Sequence, residues 1–238
     1  MADFQRILLK LSGEALAGSQ GRGLDEAALE MICRQVADVC NLGVEVALVV
    51  GGGNIFRGHT ASSPGGMDRV TADQMGMLAT MINGLAVMDT LERMGVPATV
   101  LSARRVDELI APFDRGAAVS LLEQGRVVIF VGGTGNPYFS TDSASSLRAA
   151  QIDADVILKG TKVDGVYDDD PVKNPSAVKF DALTFDEALK RDLRVMDATA
   201  FAMCRDNNIP IIVFNLTKSG TLVRVVNGES PGTIVKGE

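Results

Sequence analysis

The sequence predicts an α/β protein, a three-layer αβα sandwich with a mainly parallel central sheet. Short apolar runs rich in β-branched residues alternate with helical patterns, and this order builds parallel sheets covered by helices on both faces. Residues 127–131 are continuously apolar, as is typical of a strand buried on both sides. With 238 residues and no clear linker, the chain is predicted to form one domain over residues 1–238.

The boundaries of the predicted elements follow from capping and turn residues. Asp25 is the expected N-cap of the first long helix, and Gly43 ends it. Predicted strands cover residues 7–11, 44–50, 96–101, 126–131, 156–159 and 209–214, with 234–235 as an added edge strand. Predicted helices cover residues 25–42, 68–94, 117–124, 141–152, 185–191, 197–207 and 221–226.

The helix predicted over residues 68–94 is apolar around much of its circumference. One face can pack on the sheet, and the remaining apolar surface needs a second partner. We therefore expect a subunit interface along this helix, with additional burial within the chain as the alternative.

Composition and charge exclude several classes of protein. The net charge of −7, the 5% aromatic content and the absence of Trp argue against nucleic-acid binding and against binding to acidic membranes. The N-terminus lacks the features of a signal peptide, and no apolar run is long enough to span a bilayer. Cys33, Cys40 and Cys204 have no metal-ligand spacing, which fits free thiols in a reducing cytoplasm.

Two strand ends near the N-terminus carry features of a phosphate site. In open α/β sheets, ligands bind beyond the carboxyl ends of the strands. Lys10 interrupts the first apolar strand, and Ser12 and Gly13 follow it with exposed backbone N–H groups; a plain surface lysine is the alternative. The second strand ends in three glycines at 51–53, which allow close backbone approach to a ligand, and Arg57 can fork onto phosphate oxygens.

Two later strand ends carry similar features. The segment 132–142 combines a glycine turn, hydroxyl groups and a helix N-terminus, which attracts anions. Asp142 lies in the first turn of that helix, either as a structural cap or as a group that orients cations around phosphates. Lys159 ends another strand as Lys10 ends the first, and Tyr167 could pack on a base. The acidic residues 168–170 are interpreted as a solvated turn.

Several familiar kinds of site are absent from the sequence. There is no P-loop motif, and the glycines do not fit a dinucleotide-binding fingerprint with a suitably placed acidic residue. His59 is the only histidine and is predicted to lie on the surface, so a Ser-His-Asp hydrolase is poorly supported. Metal clusters of His and Cys are also missing.

Taken together, the strand-end segments resemble those of bacterial uridylate kinases, which belong to the amino acid kinase superfamily. The resemblance is carried by ILLKLSGEAL at 7–16, GGGNIFRG at 51–58, GMLAT at 76–80, GTGNPYFSTD at 133–142 and KGTKVDGVY at 159–167. It implies the amino acid kinase fold and transfer of the γ-phosphoryl group of ATP to UMP with Mg²⁺. It leaves the carboxylates that hold Mg²⁺ open.

The resemblance also implies a role for individual residues. The ATP phosphates would contact Lys10, Leu11, Ser12, Gly13, Gly53 and Arg57, and the adenosine would contact Thr161, Tyr167 and Asp170. UMP would contact Gly52, Asp73, Thr134, Gly135, Asn136, Pro137, Tyr138, Phe139, Ser140 and Thr141. A carboxylate at Asp73 suits the ribose hydroxyls, because it accepts two hydrogen bonds.

The resemblance also implies an assembly and a mode of regulation, although the sequence matches only part of the family's regulatory pattern. The family's hexamer is built around the long helix, so the resemblance implies a homo-oligomer, a hexamer. UTP as an inhibitor at the substrate site and GTP as an activator are family properties. Arg126 matches an arginine of the family's GTP site, whereas Met88 and Thr99 stand where arginine is expected. The segment 60–66 departs from the family pattern near Arg57.

Phosphoryl transfer needs alignment and charge neutralisation more than covalent catalysis. We therefore assign Lys10 and Lys159 to holding the transferring group from two sides, with Asp142 orienting the lysines or the metal. Asp197 is a weaker catalytic candidate, with helix capping as its alternative role. Two other functions stay open: a kinase of the same fold that acts on a small carboxylate or carbamate, and a nucleotide sensor without catalysis.

Overall fold

The computed structural model describes residues 2–57, 66–193, 195–229 and 231–237. Nine strands lie in this part of the chain, and all belong to one sheet. They are β1 (Arg6–Leu11), β2 (Glu45–Val50), β3 (Ala98–Ser102), β4 (Ala111–Pro112), β5 (Val127–Val131), β6 (Val156–Thr161), β7 (Ala182–Thr184), β8 (Ile211–Asn215) and β9 (Thr233–Lys236).

The strand order across the sheet is β4-β3-β5-β2-β1-β6-β8-β9-β7. Every pair is parallel except β8 with β9, so the predicted mainly parallel sheet is confirmed. The central strands β1, β2, β5 and β6 end at the same edge, because parallel strands share a direction. The candidate phosphate loops therefore meet at this edge.

Helices cover both faces of the sheet, which confirms the three-layer αβα arrangement. They are α1 (Gly13–Leu16), α2 (Glu26–Cys40), α3 (Arg69–Arg93), α4 (Arg115–Glu123), α5 (Thr141–Gln151), α6 (Phe185–Lys190), α7 (Ala198–Asp206) and α8 (Thr221–Val226). One layer contains α2, α3 and α8, and the other contains α4, α5 and α7. Each layer buries its own apolar cluster against the sheet.

The capping residues begin the helices where the sequence predicts. Asp25 accepts a hydrogen bond from the Ala28 backbone N–H at 2.9 Å and so satisfies one of the free donors at the start of α2. Gly43 follows α2 with φ of +80°, a backbone conformation that glycine adopts without strain. Asp68 caps α3 in the same way through the Thr71 N–H, so the long predicted helix is also confirmed.

Some elements differ from the prediction. The prediction of residues 234–235 as an edge strand is wrong in position, because β9 pairs with β8 on one side and β7 on the other. The strands β4 and β7 and the one-turn helix α1 were not predicted. They are two to four residues long, and such short segments carry no hydrophobic periodicity.

The long helix α3 leaves part of its apolar surface uncovered. Met75, Leu78 and Ile82 are 37–57% exposed, whereas Val87 and Leu91 on the sheet side are fully buried. Among the described residues, no helix combines the length and apolar character needed to cross a bilayer. His59, predicted to lie on the surface, and residues 60–65, which depart from the family pattern, lie outside the described residues.

Candidate active site

The two strand-end lysines lie side by side. Lys10 of β1 and Lys159 of β6 are register partners in neighbouring parallel strands. Facing residues of paired strands point to the same side of the sheet, so both ammonium groups emerge on the face covered by α5. Their side chains are only 12% and 16% exposed. Two cations this close and this buried need an anion between them.

Asp142 supplies that anion. It is the second residue of α5, and its Oδ2 lies 3.1 Å from Lys159 Nζ. Its Oδ1 lies 3.0 Å from Lys10 Nζ as a charge contact outside hydrogen-bonding geometry. Lys159 also donates to the Val195 carbonyl. The structure therefore brings the three sequence-predicted catalytic residues together in one cluster, with one carboxylate bridging two ammonium groups.

Burial and charge act on this cluster in opposite directions. Burial is the largest effect on Asp142 and raises its pKa, but Lys10 and Lys159 together outweigh it and hold the pKa below its usual range. For Lys159, burial lowers the pKa, and the Asp142 carboxylate only partly offsets this. Asp142 is therefore ionised at neutral pH, and Lys159 loses its proton more easily than an exposed lysine.

The loops after β1 and β2 pack directly on each other. The Gly51 N–H donates to the Leu11 carbonyl at 2.8 Å. A Cβ atom on Gly13 would lie 2.7 Å from the Gly53 nitrogen, so glycine is required for this approach. The Leu11 side chain is fully buried in the core, so only its backbone can face a ligand. Ser12 caps α1 through the Ala15 N–H.

A buried asparagine pair, absent from the sequence predictions, holds the glycine loop. Asn83 of α3 donates to Asn54 Oδ1 at 2.7 Å and accepts from Asn54 Nδ2 at 3.2 Å. Asn83 also donates to the Gly51 carbonyl at 2.6 Å. The available signal was an asparagine within an apolar helix face, since such a residue needs buried partners.

Arg57, predicted to contact phosphates, lies at the rim of this loop. Its Nη2 is 2.6 Å from Glu14 Oε1, and its Nε donates to the Gly53 carbonyl. The side chain is about half exposed. Arg57 therefore reaches from the second glycine loop to the helix that follows the first.

A cleft of about 710 Å³ opens beside the Gly51–Gly53 turn, within the range of small-molecule sites, and Gly53 and Arg57, which were predicted for the ATP phosphates, also line it. It lies between α3, the segment after β5 and the N-termini of α5 and α7. The predicted acceptor residues that line it are Gly52, Asp73, Thr134, Asn136, Tyr138, Phe139, Ser140 and Thr141. Gly135 and Pro137 belong to the same segment but are not among its lining residues.

Glycines shape the segment after β5. Gly132, Gly133 and Gly135 have φ values of +77°, +60° and +83°, which side chains rarely adopt. Tyr138 also has a positive φ of 71°, and its N–H donates to Asp73 Oδ2 at 2.8 Å. This contact fixes the segment against α3, and it leaves Tyr138 largely exposed over the cleft.

Asp73 is clamped from within its own helix. Arg69 Nε lies 3.0 and 2.9 Å from the two carboxylate oxygens, and its guanidinium is 5.5 Å from the centre of the Tyr138 ring. The Asp73 side chain is 15% exposed. The Asp73 carboxylate therefore faces the cleft in a fixed orientation and can accept hydrogen bonds from a ligand. Arg69 was not predicted from the sequence as its partner.

Asp197 joins two helix starts at the edge of the cleft. It caps α7 through the Ala200 N–H at 2.9 Å, so its predicted capping role is present. Its carboxylate also accepts from the hydroxyls of Ser140 and Ser143. The start of α5, which carries Asp142, is thereby tied to the start of α7.

A smaller cavity of about 350 Å³ lies at the ends of β6 and β8. It is lined by Asp164, Tyr167, Lys179, Asn215, Lys218, Thr221, Arg224 and Pro231. Of the three residues predicted for adenosine, only Tyr167 lines it. Thr161 donates to the Val163 carbonyl at the end of β6, and Asp170 lies in a surface turn, where it accepts from the Val172 N–H.

A magnesium ion would need oxygen ligands from carboxylates of the described residues or from substrate phosphates. No group of three or more His, Cys, Asp or Glu side chains in this part of the chain is placed to hold a metal. Both oxygens of Asp142 already face ammonium groups. Mg²⁺ is commonly held by one or two carboxylates together with substrate phosphates, so these residues do not form a site for it by themselves.

Arg126, which the resemblance assigns to a GTP site, precedes β5 and therefore lies at the edge of the sheet opposite to this cluster. Its guanidinium donates to Thr99 Oγ1 at 3.0 Å and to the Ala98 carbonyl at 2.6 Å. Glu92 Oε1 lies 3.9 Å away. Thr99 stands where the resemblance leads one to expect a second arginine, and here its hydroxyl accepts a hydrogen bond from Arg126.

Comparisons with known proteins agree with this arrangement. A sequence model of the amino acid kinase family matches residues 5–215. The UMP kinase from Bacillus anthracis is 38% identical, with a TM-score of 0.94, covering 98% of this chain and 96% of that one. The UMP kinase from Ureaplasma parvum is 42% identical, with a TM-score of 0.91 and 98% coverage of both chains. Since the family model spans most of the sequence, the chain belongs to the amino acid kinase family.

Proposed function

We propose that this protein transfers the γ-phosphoryl group of ATP to UMP, giving ADP and UDP. The observation that carries the proposal is the cluster in which Lys10 and Lys159, register partners on adjacent strands, share the carboxylate of Asp142. Two fixed ammonium groups beside a glycine-lined edge suit phosphoryl transfer, because this reaction needs the negative charge of the phosphate oxygens to be neutralised. The similarity to two UMP kinases supports uridylate as the acceptor.

The proposal places UMP in the larger cleft. Its ribose hydroxyls would donate to Asp73, whose carboxylate is held by Arg69 and the Tyr138 N–H. Its phosphate would lie near Gly52 and the start of α5, where backbone N–H groups favour an anion. The cleft volume of about 710 Å³ is sufficient for a nucleotide.

ATP would approach from the side of the smaller cavity, with its adenosine near Tyr167. Its phosphates would follow the loops at Gly13 and Gly53 toward Lys10. Thr161 would contribute at the end of β6, and Asp170 from the surface turn beyond it. Mg²⁺ would be part of the ATP substrate, supplying charge neutralisation on its phosphates, and we assign it no step.

The transfer itself needs few protein groups. An oxygen of the UMP phosphate forms the new bond to the γ-phosphorus, and the bond to the β–γ bridging oxygen breaks, with the electron pair leaving on ADP. The nucleophile is already anionic, so no general base is required. Lys10 and Lys159 neutralise the transferring group from two sides, and Asp142 holds them in place.

An ADP-release assay with different acceptors tests the proposed function. With ATP and Mg²⁺, we expect turnover with UMP at least ~10²-fold faster than with acylated glutamate or carbamate, because the acceptor contacts of the cleft suit a nucleoside. CMP as a further arm measures selectivity for the base. Faster turnover with a carboxylate or carbamate would overturn the proposal, and nucleotide binding without ADP release would favour a sensor.

We also propose that UTP inhibits by occupying the UMP cleft, since it carries the same uridine, and that the exposed face of α3 lies in a homo-oligomer, a hexamer. Adding UTP to the assay tests the first point through competition with UMP, and GTP as a separate addition tests activation. Sedimentation at micromolar concentration tests the second point, which a monomer alone would contradict.

The lowered pKa of Lys159 predicts an alkaline loss of activity. The charged ammonium is the active form, so kcat should fall as pH rises through this pKa, below the value of about 10.5 for an ordinary lysine. Lys159→Arg keeps its charge and should show a slower but flatter profile between about pH 7 and 10. Return of the wild-type enzyme to neutral pH controls for unfolding; an equally steep loss in the arginine variant would refute the assignment.

A further inference from the structure

We infer that Thr80 and Asn83, two buried side chains on one face of α3, are positioning residues that set the two glycine-rich loops for phosphoryl transfer. The inference rests on the proposed function, because that function assigns the loop after β5 to the acceptor and the loop after β2 mainly to the donor. Neither side chain hydrogen-bonds to the Lys10–Asp142–Lys159 cluster. Thr80 also lines the larger cleft, but its hydroxyl is already used by the Gly132 N–H and the Met77 carbonyl, so we assign its effect to the loop.

Thr80 controls the point at which the acceptor loop leaves the sheet. Its Oγ1 accepts from the Gly132 N–H at 2.7 Å and donates to the Met77 carbonyl at 2.6 Å. Gly132 directly follows β5 and has a left-handed backbone, so no strand partner is in place for its N–H. The contact is buried, and without the hydroxyl the N–H would be left unsatisfied.

Asn83 holds the other loop. Its side chain is fully buried, and its Nδ2 donates both to the Gly51 carbonyl and to Asn54 Oδ1. Asn54 Nδ2 in turn donates to Asn83 Oδ1 and to the Gly23 carbonyl. This network fixes both ends of the turn that contains Gly52 and Gly53.

The two contacts come from one rigid element. Gly76, Thr80 and Asn83 are spaced four and three residues apart and therefore share one face of α3. Gly52 allows the loop to approach this face closely, because a Cβ on Gly52 would lie 2.7 Å from the Gly76 carbonyl oxygen. A single helix therefore sets the separation between the two loops.

Substrate-specific kinetics test the inference. Thr80→Val removes the hydroxyl with little change in shape, and we expect KM for UMP to rise about tenfold while KM for ATP changes less than about twofold. Thr80→Ser restores the hydroxyl and should restore KM for UMP. Asn83→Ala should show the reverse pattern: we expect KM for ATP to rise about tenfold and KM for UMP to change less.

Thr90→Val is the matched control. Thr90 is a buried threonine on the same helix, and its hydroxyl donates to the Ala86 carbonyl of α3 itself. Both KM values should stay at the wild-type level in this variant. If Thr80→Val and Asn83→Ala lower the melting temperature but leave both KM values unchanged or change them equally, the positioning role is wrong. It is also wrong if Thr80→Ser does not restore KM for UMP.

The test remains decisive if the proposed function fails. If the wild-type enzyme prefers another acceptor, the same comparison uses that acceptor's KM. If the wild-type protein shows no turnover, amide hydrogen exchange replaces kinetics. Faster exchange confined to residues 132–136 in Thr80→Val and to residues 51–54 in Asn83→Ala supports the inference, whereas uniform or unchanged exchange overturns it.

Discussion

Replacing Lys10 with alanine is expected to lower kcat by about 10²–10³-fold, the loss typical of removing one group that stabilises charge developing in a transition state. The Lys10 side chain is 12% exposed and 3.0 Å from the Asp142 carboxylate, so water cannot easily replace its charge. Steady-state kinetics with ATP and UMP measure the effect. We expect KM for UMP to change much less, because the acceptor cleft does not include Lys10.

Lys236→Ala is the matched control for this variant. Lys236 is also a strand-end lysine, but β9 runs antiparallel to β8, so its last residue lies at the opposite edge of the sheet. Its removal should leave kcat unchanged. Turnover of Lys10→Ala near the wild-type rate, or an equal loss in Lys236→Ala, would contradict the role that we assign to Lys10.

Replacing Asp142 with asparagine is expected to affect both stability and catalysis. The change leaves two buried ammonium groups without their shared anion, and breaking a buried ion pair in this way costs about 3 kcal/mol in the free energy of unfolding. We also expect kcat to fall about 10²-fold, because the lysines lose their orientation. Urea unfolding and steady-state kinetics measure the two effects separately.

The stability loss should depend on pH in a defined way. In the wild-type protein, the lowered pKa of Asp142 contributes stability that is lost as pH falls through that pKa, and the asparagine variant has none to lose. In the variant, we expect the pKa of Lys159 to fall further, so its stability rises as pH increases toward the ordinary lysine value of about 10.5. The difference between the two proteins should therefore be largest near neutral pH.

Asp89→Asn controls for the loss of a carboxylate alone. Asp89 pairs with Arg93 at 3.0 Å on the surface of α3, where both side chains are more than half exposed. Its replacement should change the free energy of unfolding by less than about 0.5 kcal/mol. A pH-independent deficit in Asp142→Asn, or one no larger than in this control, would show that Asp142 does not bind the lysines as described.

The sequence was sufficient to predict the layered fold, because long buried strands and capped helices leave strong local patterns. The continuous apolar run of β5 and the Asp caps of α2 and α3 are examples. The order of the last three strands, β8-β9-β7, could not be predicted from such local patterns. The strand β7 has three residues, so its position outside β9 is decided by tertiary packing rather than by its own sequence.

The candidate site was predictable where polar residues interrupt apolar patterns. Lys10 and Lys159 stand at the ends of apolar strands, and parallel pairing then brings them together. The Asn54–Asn83 pair was not predictable as a partnership, whereas the Arg69 clamp on Asp73 was missed although its i,i+4 spacing in a predicted helix was a visible signal. In the first case the partners are 29 residues apart, and their meeting depends on how α3 crosses the sheet.

The side-by-side placement of Lys10 and Lys159 has a consequence for how such an enzyme can be modified. Neighbouring strands lie ~4.8 Å apart, and this spacing is set by backbone hydrogen bonds in the middle of the sheet. The segments that we propose to contact the acceptor lie outside the strands, on α3 and in the loop after β5. Residues 133–141 could therefore be exchanged to alter which acceptor is taken, while the distance between the two ammonium groups stays the same.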